Sequence, residues 1–227
     1  MIFMEKLAND CWGCELNERN KRGEIERVVY DSELVLAHYV PNSWAEIHIR
    51  IQSKEHIPTA LDINPSHEAI VLDMMTALRR ATAEILQTKE GVRIYMNIGG
   101  FQGTKHIHFH VTYHSLAVST EKDERKQARN QEDIVYDGQH MLAYYTPNVE
   151  PEIHIRIQPK GPVSCFLDLI DSGRDHILLD LMNAIQAAAG EIMKTKRGCR
   201  LYISVGDFQT SEQFYCHVAF TEKDEDE

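Results

Sequence analysis

The segment VYDSELVLAHYVPNSWAEIHIRIQ, which begins at Val29, returns as VYDGQHMLAYYTPNVEPEIHIRIQ from Val135. The offset is 135 − 29 = 106 and holds through the shared EIHIRIQ. Farther on, HEAIVLDMMTALRRATAEILQTKEGVRIYMNIGGFQ is matched by RDHILLDLMNAIQAAAGEIMKTKRGCRLYISVGDFQ, with the offset raised by one (Phe101 to Phe208, 208 − 101 = 107). A duplication of this length restricts the fold to two copies of one unit. The 227 residues suffice for two small cores, since single domains are about 100–150 residues. Two such units in tandem can pack about a pseudo-twofold axis, as identical subunits do in a homodimer.

Each copy reads as the same run of elements. ELVLAHYV and EIHIRIQ alternate or run apolar as strands do, with Pro41 and Asn42 marking the turn between them. Ile70, Val71, Met74, Met75, Leu78, Ala81 and Ile85 follow helical spacing, and Gly91 stands where a helix stop is expected. Strands VRIYMNI and HIHFHVTY follow, separated by a glycine turn. The expected fold is α+β: two tandem domains, each a mostly antiparallel sheet with one long helix, forming an intramolecular pseudo-dimer. The divisions expected are 1–118 for the first unit, a charged linker at 119–133, 134–222 for the second unit and an acidic tail at 223–227.

A net charge of -11 argues against binding a nucleic-acid polymer, because affinity for a phosphate backbone needs clustered Lys and Arg. There is no apolar run of membrane-spanning length, and MIFMEKLAND lacks the basic start and apolar stretch of a secretory signal. A cytoplasmic protein without membrane contact is therefore expected. The five cysteines are an odd number, so metal binding or burial is expected rather than a disulfide framework.

In NIGGFQGTKHIHFHVTYH, His106, His108 and His110 occupy every second position, so in a strand they share a face while Ile107, Phe109 and Val111 enter the core. The three rings are expected to line a surface or cleft. Neutral imidazole is a nucleophile and also a general acid near neutral pH, so one ring can attack phosphorus while a neighbour protonates the leaving group. The preceding turn offers backbone N–H groups at Gly99, Gly100 and Gly103, with Asn97, Gln102 and Thr104 as side-chain donors, a set suited to a phosphate.

HIHFHVT, with the Asn and Gln of the preceding loop, resembles the His-x-His-x-His signature of the histidine triad (HIT) superfamily. The resemblance implies a nucleotide-binding enzyme in which His108 attacks the α-phosphorus to give a nucleotidyl-histidine intermediate, with His110 contacting the phosphate or leaving group. The chain departs from the family pattern at Thr112, where an apolar residue is usual, and at Gly103, where a Ser or Thr is common. LAHYVPN also lacks the family's ribose-binding acid.

Cys11 and Cys14 in CWGCELN have the CxxC spacing that clasps one zinc, and a closed site needs two further ligands. The alternatives are a pair of half-buried free thiols or a redox pair. The chain resembles most closely the zinc-containing branch of the superfamily that includes the galactose-1-phosphate uridylyltransferases, themselves tandem repeats. That resemblance implies His56 and His106 as the remaining ligands of a structural zinc. The transferases carry Gln where this chain has His110, which favours a hydrolase.

In the second copy His106, His108 and His110 become Gln213, Tyr215 and His217. Asn97, Gly100 and Gly103 become Ser204, Asp207 and Thr210, and Pro162 takes the place of His56. This copy reads as a scaffold without chemistry. His48 and His154 recur in both copies, which points to a structural role, and Cys165, Cys199 and Cys216 read as core thiols. The leading expectation is a nucleotide hydrolase or nucleotidyltransferase. The others are a zinc-stabilised nucleotide-binding or adaptor protein without turnover, and a metalloenzyme with His106, His108 and His110 on one catalytic metal.

Overall fold

A computed structural model describes residues 11–115, 134–146, 152–170 and 173–221. In chain order the elements are α1 (Trp12–Lys21), β1 (Val28–Asp31), β2 (Val35–Tyr39), β3 (Ile47–Ser53), α2 (Glu68–Leu86), β4 (Gly91–Gly99) and β5 (His108–Tyr113). The second copy supplies β6 (Ile134–Asp137), β7 (Met141–Tyr145), β8 (Ile153–Pro159), a one-turn α3 (Phe166–Leu169), α4 (Asp175–Ile192), β9 (Gly198–Gly206) and β10 (Cys216–Phe220). The expected linker at 119–133 and the tail at 223–227 lie outside the described residues. Among those residues no helix is long and apolar enough to cross a membrane.

All ten strands join one antiparallel sheet in the order β1-β2-β3-β5-β4-β9-β10-β8-β7-β6. Read outward from its middle, that order is the same in both directions, so the duplication has become a pseudo-twofold axis between β4 and β9. These two strands pair from Gly91↔Gly206 to Gly99↔Gly198. Alternation then separates the faces. Ile49, Ile51, Ile94, Met96, Phe109 and Val111 turn to one side, where Met74, Met75, Leu78 and Ile85 of α2 and the equivalent stripe of α4 cover them in a single core that spans both copies. The opposite face carries polar rings and charges. In one row across it, register places His38, Arg50, His110, Tyr95, Tyr202, His217, Arg156 and Tyr144 on successive strands.

Three local expectations are corrected. The helix ends at Leu86, and Gly91 is instead the first residue of β4, packed so tightly that an added Cβ would lie 2.8 Å from the Phe208 ring. The last strand of the first copy begins at His108, not His106, because His106 is drawn toward the cysteines while the Ile107 N–H bonds Ile57 O at 2.7 Å. The CxxC pair lies at the start of a helix, α1, which no apolar stripe announced. The Pro41–Asn42 turn is as expected, with Asn42 at φ 53, in the left-handed region that Asn tolerates.

Candidate active site

α1 lies across the polar face of the first copy. Gln52 fixes it there by donating Nε2–H to Gly13 O at 2.8 Å and to Asn17 Oδ1 at 2.7 Å, and Asn17 donates in turn to Ser53 O at 3.0 Å. Gly13 is required for so close an approach: a Cβ there would meet His106 Cγ at 2.5 Å.

At this junction Cys11, Cys14, His56 and His106 converge, with one ligand atom from each lying within 4.8 Å of all the others. The spacings are 3.4 Å for Cys11 Sγ to His106 Nδ1, 3.3 Å for Cys14 Sγ to His56 Nδ1 and 3.7 Å for Cys14 Sγ to His106 Nδ1. A tetrahedral zinc bound at about 2.0–2.3 Å holds its ligands about 3.3–3.8 Å apart, so the donor set and its spacing fit that ion. His106 also has the correct tautomer. Its Nε2–H donates to Ser53 O at 2.8 Å, which leaves the Nδ1 lone pair toward the thiols. Burial, then the neighbouring Cys11 thiol, pushes the Cys14 thiol up to about 12 in the metal-free arrangement.

His108 and His110 stand apart from that group, so the three rings do not share one metal; among the described residues no other set of three or more donors comes together. His108 donates Nδ1–H to His106 O at 2.6 Å, which leaves Nε2 with its lone pair. Burial, followed by the charge of Arg50, lowers its pKa to about 3, so the ring is neutral at pH 7. His110 Nδ1 lies 2.7 Å from His48 Nε2, and His48 Nδ1 lies 2.7 Å from Ser43 Oγ. With Ser43 donating to His48 and His48 to His110, the His110 Nε2–H is left as a donor. Burial and the adjacent His108 hold His110 below the ordinary imidazole range, and Tyr95 stacks on it at 4.4 Å.

The triad does not line an open surface: His106 is 0% and His108 3% exposed. The cover is α1, whose Trp12 ring lies over Arg50 at 4.7 Å. Beside it lies a cleft of about 940 Å³ whose lining includes Trp12, Arg27, His38, Tyr39 and His48 together with Glu24, Glu26, Glu46 and Glu84. His48 contacts His110 and also lines this cleft. Its repetition in the second copy obscured this, because His154 makes the same contact with His217 there.

The glycine turn is organised differently from the expectation. The Gly100 N–H bonds Arg197 O at 2.8 Å, and Gly99, at φ +67, packs on Met193, so both glycines serve the junction with the second copy. Gln102 accepts the Gly99 N–H at 3.2 Å and donates to Pro58 O and Thr104 O at 3.0 and 3.3 Å; it ties the loop together and does not project from it. Gly103 is exposed with open space around it. Asn97 Oδ1 accepts from Arg200 Nε at 2.6 Å, a contact across the pseudo-twofold axis. A guanidinium has only donors, so the amide must offer it oxygen and turn its own N–H groups elsewhere. Sequence reading missed Arg200, Arg50 and His38. For Arg50 the signal was present in its alternation with His48; for Arg200 it required the β4–β9 register. Cys199 and Cys216 are buried, and Cys165 is half-buried as the residue preceding α3.

Residues 22–114 match the HIT domain family model. The N-terminal copy therefore carries a HIT domain. The tandem fold is similar to that of a GalT-like protein from Arabidopsis thaliana, at 13% identity and TM-score 0.64, over 88% of this chain and 79% of that one. An ADP-glucose phosphorylase from the same organism, with bound ADP-glucose, matches at 12% identity and TM-score 0.63, over 88% and 78%. A uridylyltransferase matches at 11% and 0.56, over 83% and 72%. At these identities the similarity is one of fold.

Proposed function

We propose that the chain is a HIT-type enzyme acting at the α-phosphate of a nucleotide or nucleotide conjugate, with His108 as nucleophile. The observation that carries this reading is the His108 Nδ1–H bond to His106 O, which aims a neutral Nε2 lone pair out of a low-dielectric site. In the first step an Nε2–P bond forms while the bond to the leaving group breaks; the His110 Nε2–H hydrogen-bonds the departing group, which takes any proton it needs from solvent water. Water then attacks phosphorus and frees the ring. An imidazole N–H at the departing group in place of an amide, with water admitted afterwards, favours hydrolysis over transfer. Two of the fold neighbours are named for nucleotide-sugar or uridylyl chemistry, which supports a nucleotide conjugate as substrate.

Cys11, Cys14, His56 and His106 would hold a structural zinc, which supplies stiffness where α1 meets the strand carrying His108 and takes no part in the reaction. Asn97, with Gly103 and Thr104 of the turn, would meet the phosphate oxygens, and the cleft beside Tyr39 would take the nucleoside. The second copy is the scaffold that completes the sheet. Its own site presents Tyr215 hydrogen-bonded to Thr210 at 2.8 Å in place of the nucleophile.

Incubation with a nucleoside phosphoramidate, a dinucleoside polyphosphate and a nucleotide sugar tests the reading. Release of free mononucleotide means hydrolysis, and product formed only with added phosphate or sugar phosphate means transfer. Turnover undiminished in His108→Ala excludes the mechanism. The near-complete burial of His108 favours a second reading, a zinc-stabilised binding or adaptor protein; tight nucleotide binding without turnover across the panel would select it.

A further inference from the structure

β3 carries a charge into the middle of this site, and among the described residues that charge makes no ion pair. Arg50 is 5% exposed. Its Nε donates to Gln52 Oε1 at 2.9 Å and its guanidinium lies under the Trp12 ring, while Nη2 is buried with no hydrogen-bond partner among the described residues. Directly across in register on β2, His38 donates Nδ1–H to Tyr39 O at 2.9 Å and likewise buries Nε2 without a partner. Removing a cation from water costs several kcal/mol unless an anion meets it, and among the described residues no carboxylate pairs with Arg50.

The position is informative. Register sets Arg50 opposite His110 and Gln52 opposite His108, so the guanidinium is diagonal to the nucleophile, within reach of a long side chain. His38 and His48, which flank Arg50 on the same face, both line the cleft, as does the Trp12 ring above it. Trp12 is 45% exposed and follows Cys11 in the chain, so the indole can turn aside while the helix stays anchored. In the second copy the equivalent Arg156 stacks at 3.8 Å on Tyr215, the residue that replaces the nucleophile.

We infer that Arg50 is the anion-binding residue of the site, covered by Trp12 in this state and uncovered to take two oxygens of the α-phosphate next to His108. A planar fork suits two phosphate oxygens. The neighbouring His38 Nε2 accepts a hydroxyl from the same ligand, on the strand where the family's ribose-binding acid is missing. The inference rests on the proposed function for the identity of the ligand, but its test uses pyrophosphate and mononucleotides and does not need turnover.

The test measures the thermal midpoint and Trp12 fluorescence of the full chain, in a Trp44→Phe background, while pyrophosphate, AMP or UMP is added. The expected result is a ligand-dependent rise in midpoint and a change in Trp12 emission in the parent. Arg50→Met should lose both, with affinity at least about tenfold weaker, and its ligand-free midpoint should stay level or rise because an unpaired charge has gone. Arg50→Lys keeps the charge without the fork, so its affinity should fall with an unchanged ligand-free midpoint; it decides the matter if Arg50→Met does not fold. Equal affinity in the Arg50 variants and the parent, or no anion binding by the parent, overturns the inference. Anion binding through Arg50 without turnover of any substrate keeps the inference and removes the proposed function.

Discussion

The two copies share a sheet, a helix and the EIHIRIQ strand, and they differ in what lies over the polar face. In the first, α1 crosses that face and brings Cys11 and Cys14 to His56 and His106, with Trp12 over Arg50. In the second, Pro162 and Gln213 stand at the positions of His56 and His106, and Tyr215 at that of His108. The His48–His110 contact persists as His154–His217, so the paired imidazoles by themselves do not define a site. The difference lies in His108, its partner His106 and the cover that desolvates both.

The largest expected contrast is in turnover. His108→Ala should lower kcat/KM by about 10³-fold or more, whereas Tyr215→Ala should change it less than about threefold, measured on whichever substrate the wild type cleaves. Similar losses in both would mean that the second copy is catalytic. Next comes the metal. Cys14→Ser should remove bound zinc, read by elemental analysis, and lower the thermal midpoint by on the order of 10 °C, while Cys199→Ala should leave the zinc content unchanged. Retention of zinc in Cys14→Ser would break the assignment.

A smaller effect tests the seat of α1. Gly13→Ala forces a Cβ to 2.5 Å from the His106 ring and should cost about 1–3 kcal/mol in chemical denaturation, whereas Gly103→Ala, with open space around it, should stay within about 0.5 kcal/mol. A cost of a similar order probes the junction between copies. Arg200→Met should reduce kcat/KM by roughly tenfold through the Asn97 amide, and in Asn97→Ala the same substitution should add little; full additivity would show that Arg200 acts elsewhere.

The smallest effect concerns pH. Burial, then the charge of Arg50, holds His48 down to about 4, below the ~6.5 of an unfolded chain. Between those values the unfolded chain binds a proton that the folded chain does not, so stability falls as pH drops, by up to ~1.4 kcal/mol per unit for this ring. His48→Asn should therefore flatten the stability curve between pH 6.5 and 4 relative to wild type. An unchanged slope would contradict the burial argument.

The tandem architecture was legible in the sequence because duplication fixes it before any element is assigned, and alternation around Ile107, Phe109 and Val111 separated the two faces. The cysteine pair and the triad were visible as spacing. What stayed hidden depended on contacts between distant segments. α1 has no apolar stripe, since its hold on the sheet is polar, through Gln52 and Asn17, so neither the helix nor the burial it imposes on His108 could be read. The tasks of Gly99 and Gly100 follow from packing on Met193 and Arg197 across the pseudo-twofold axis, where a turn read in isolation suggests a phosphate instead.

The account depends most on a bond between His108 and phosphorus. Acid- or cold-quenched single-turnover mixtures, digested under conditions that preserve phosphoramidate bonds and read by mass spectrometry, report it directly. The expected result is a nucleotidyl adduct on His108 that forms and decays with turnover and is missing in His108→Ala. Steady turnover with no adduct at any time, or an adduct on His110 that survives loss of His108, would contradict the account.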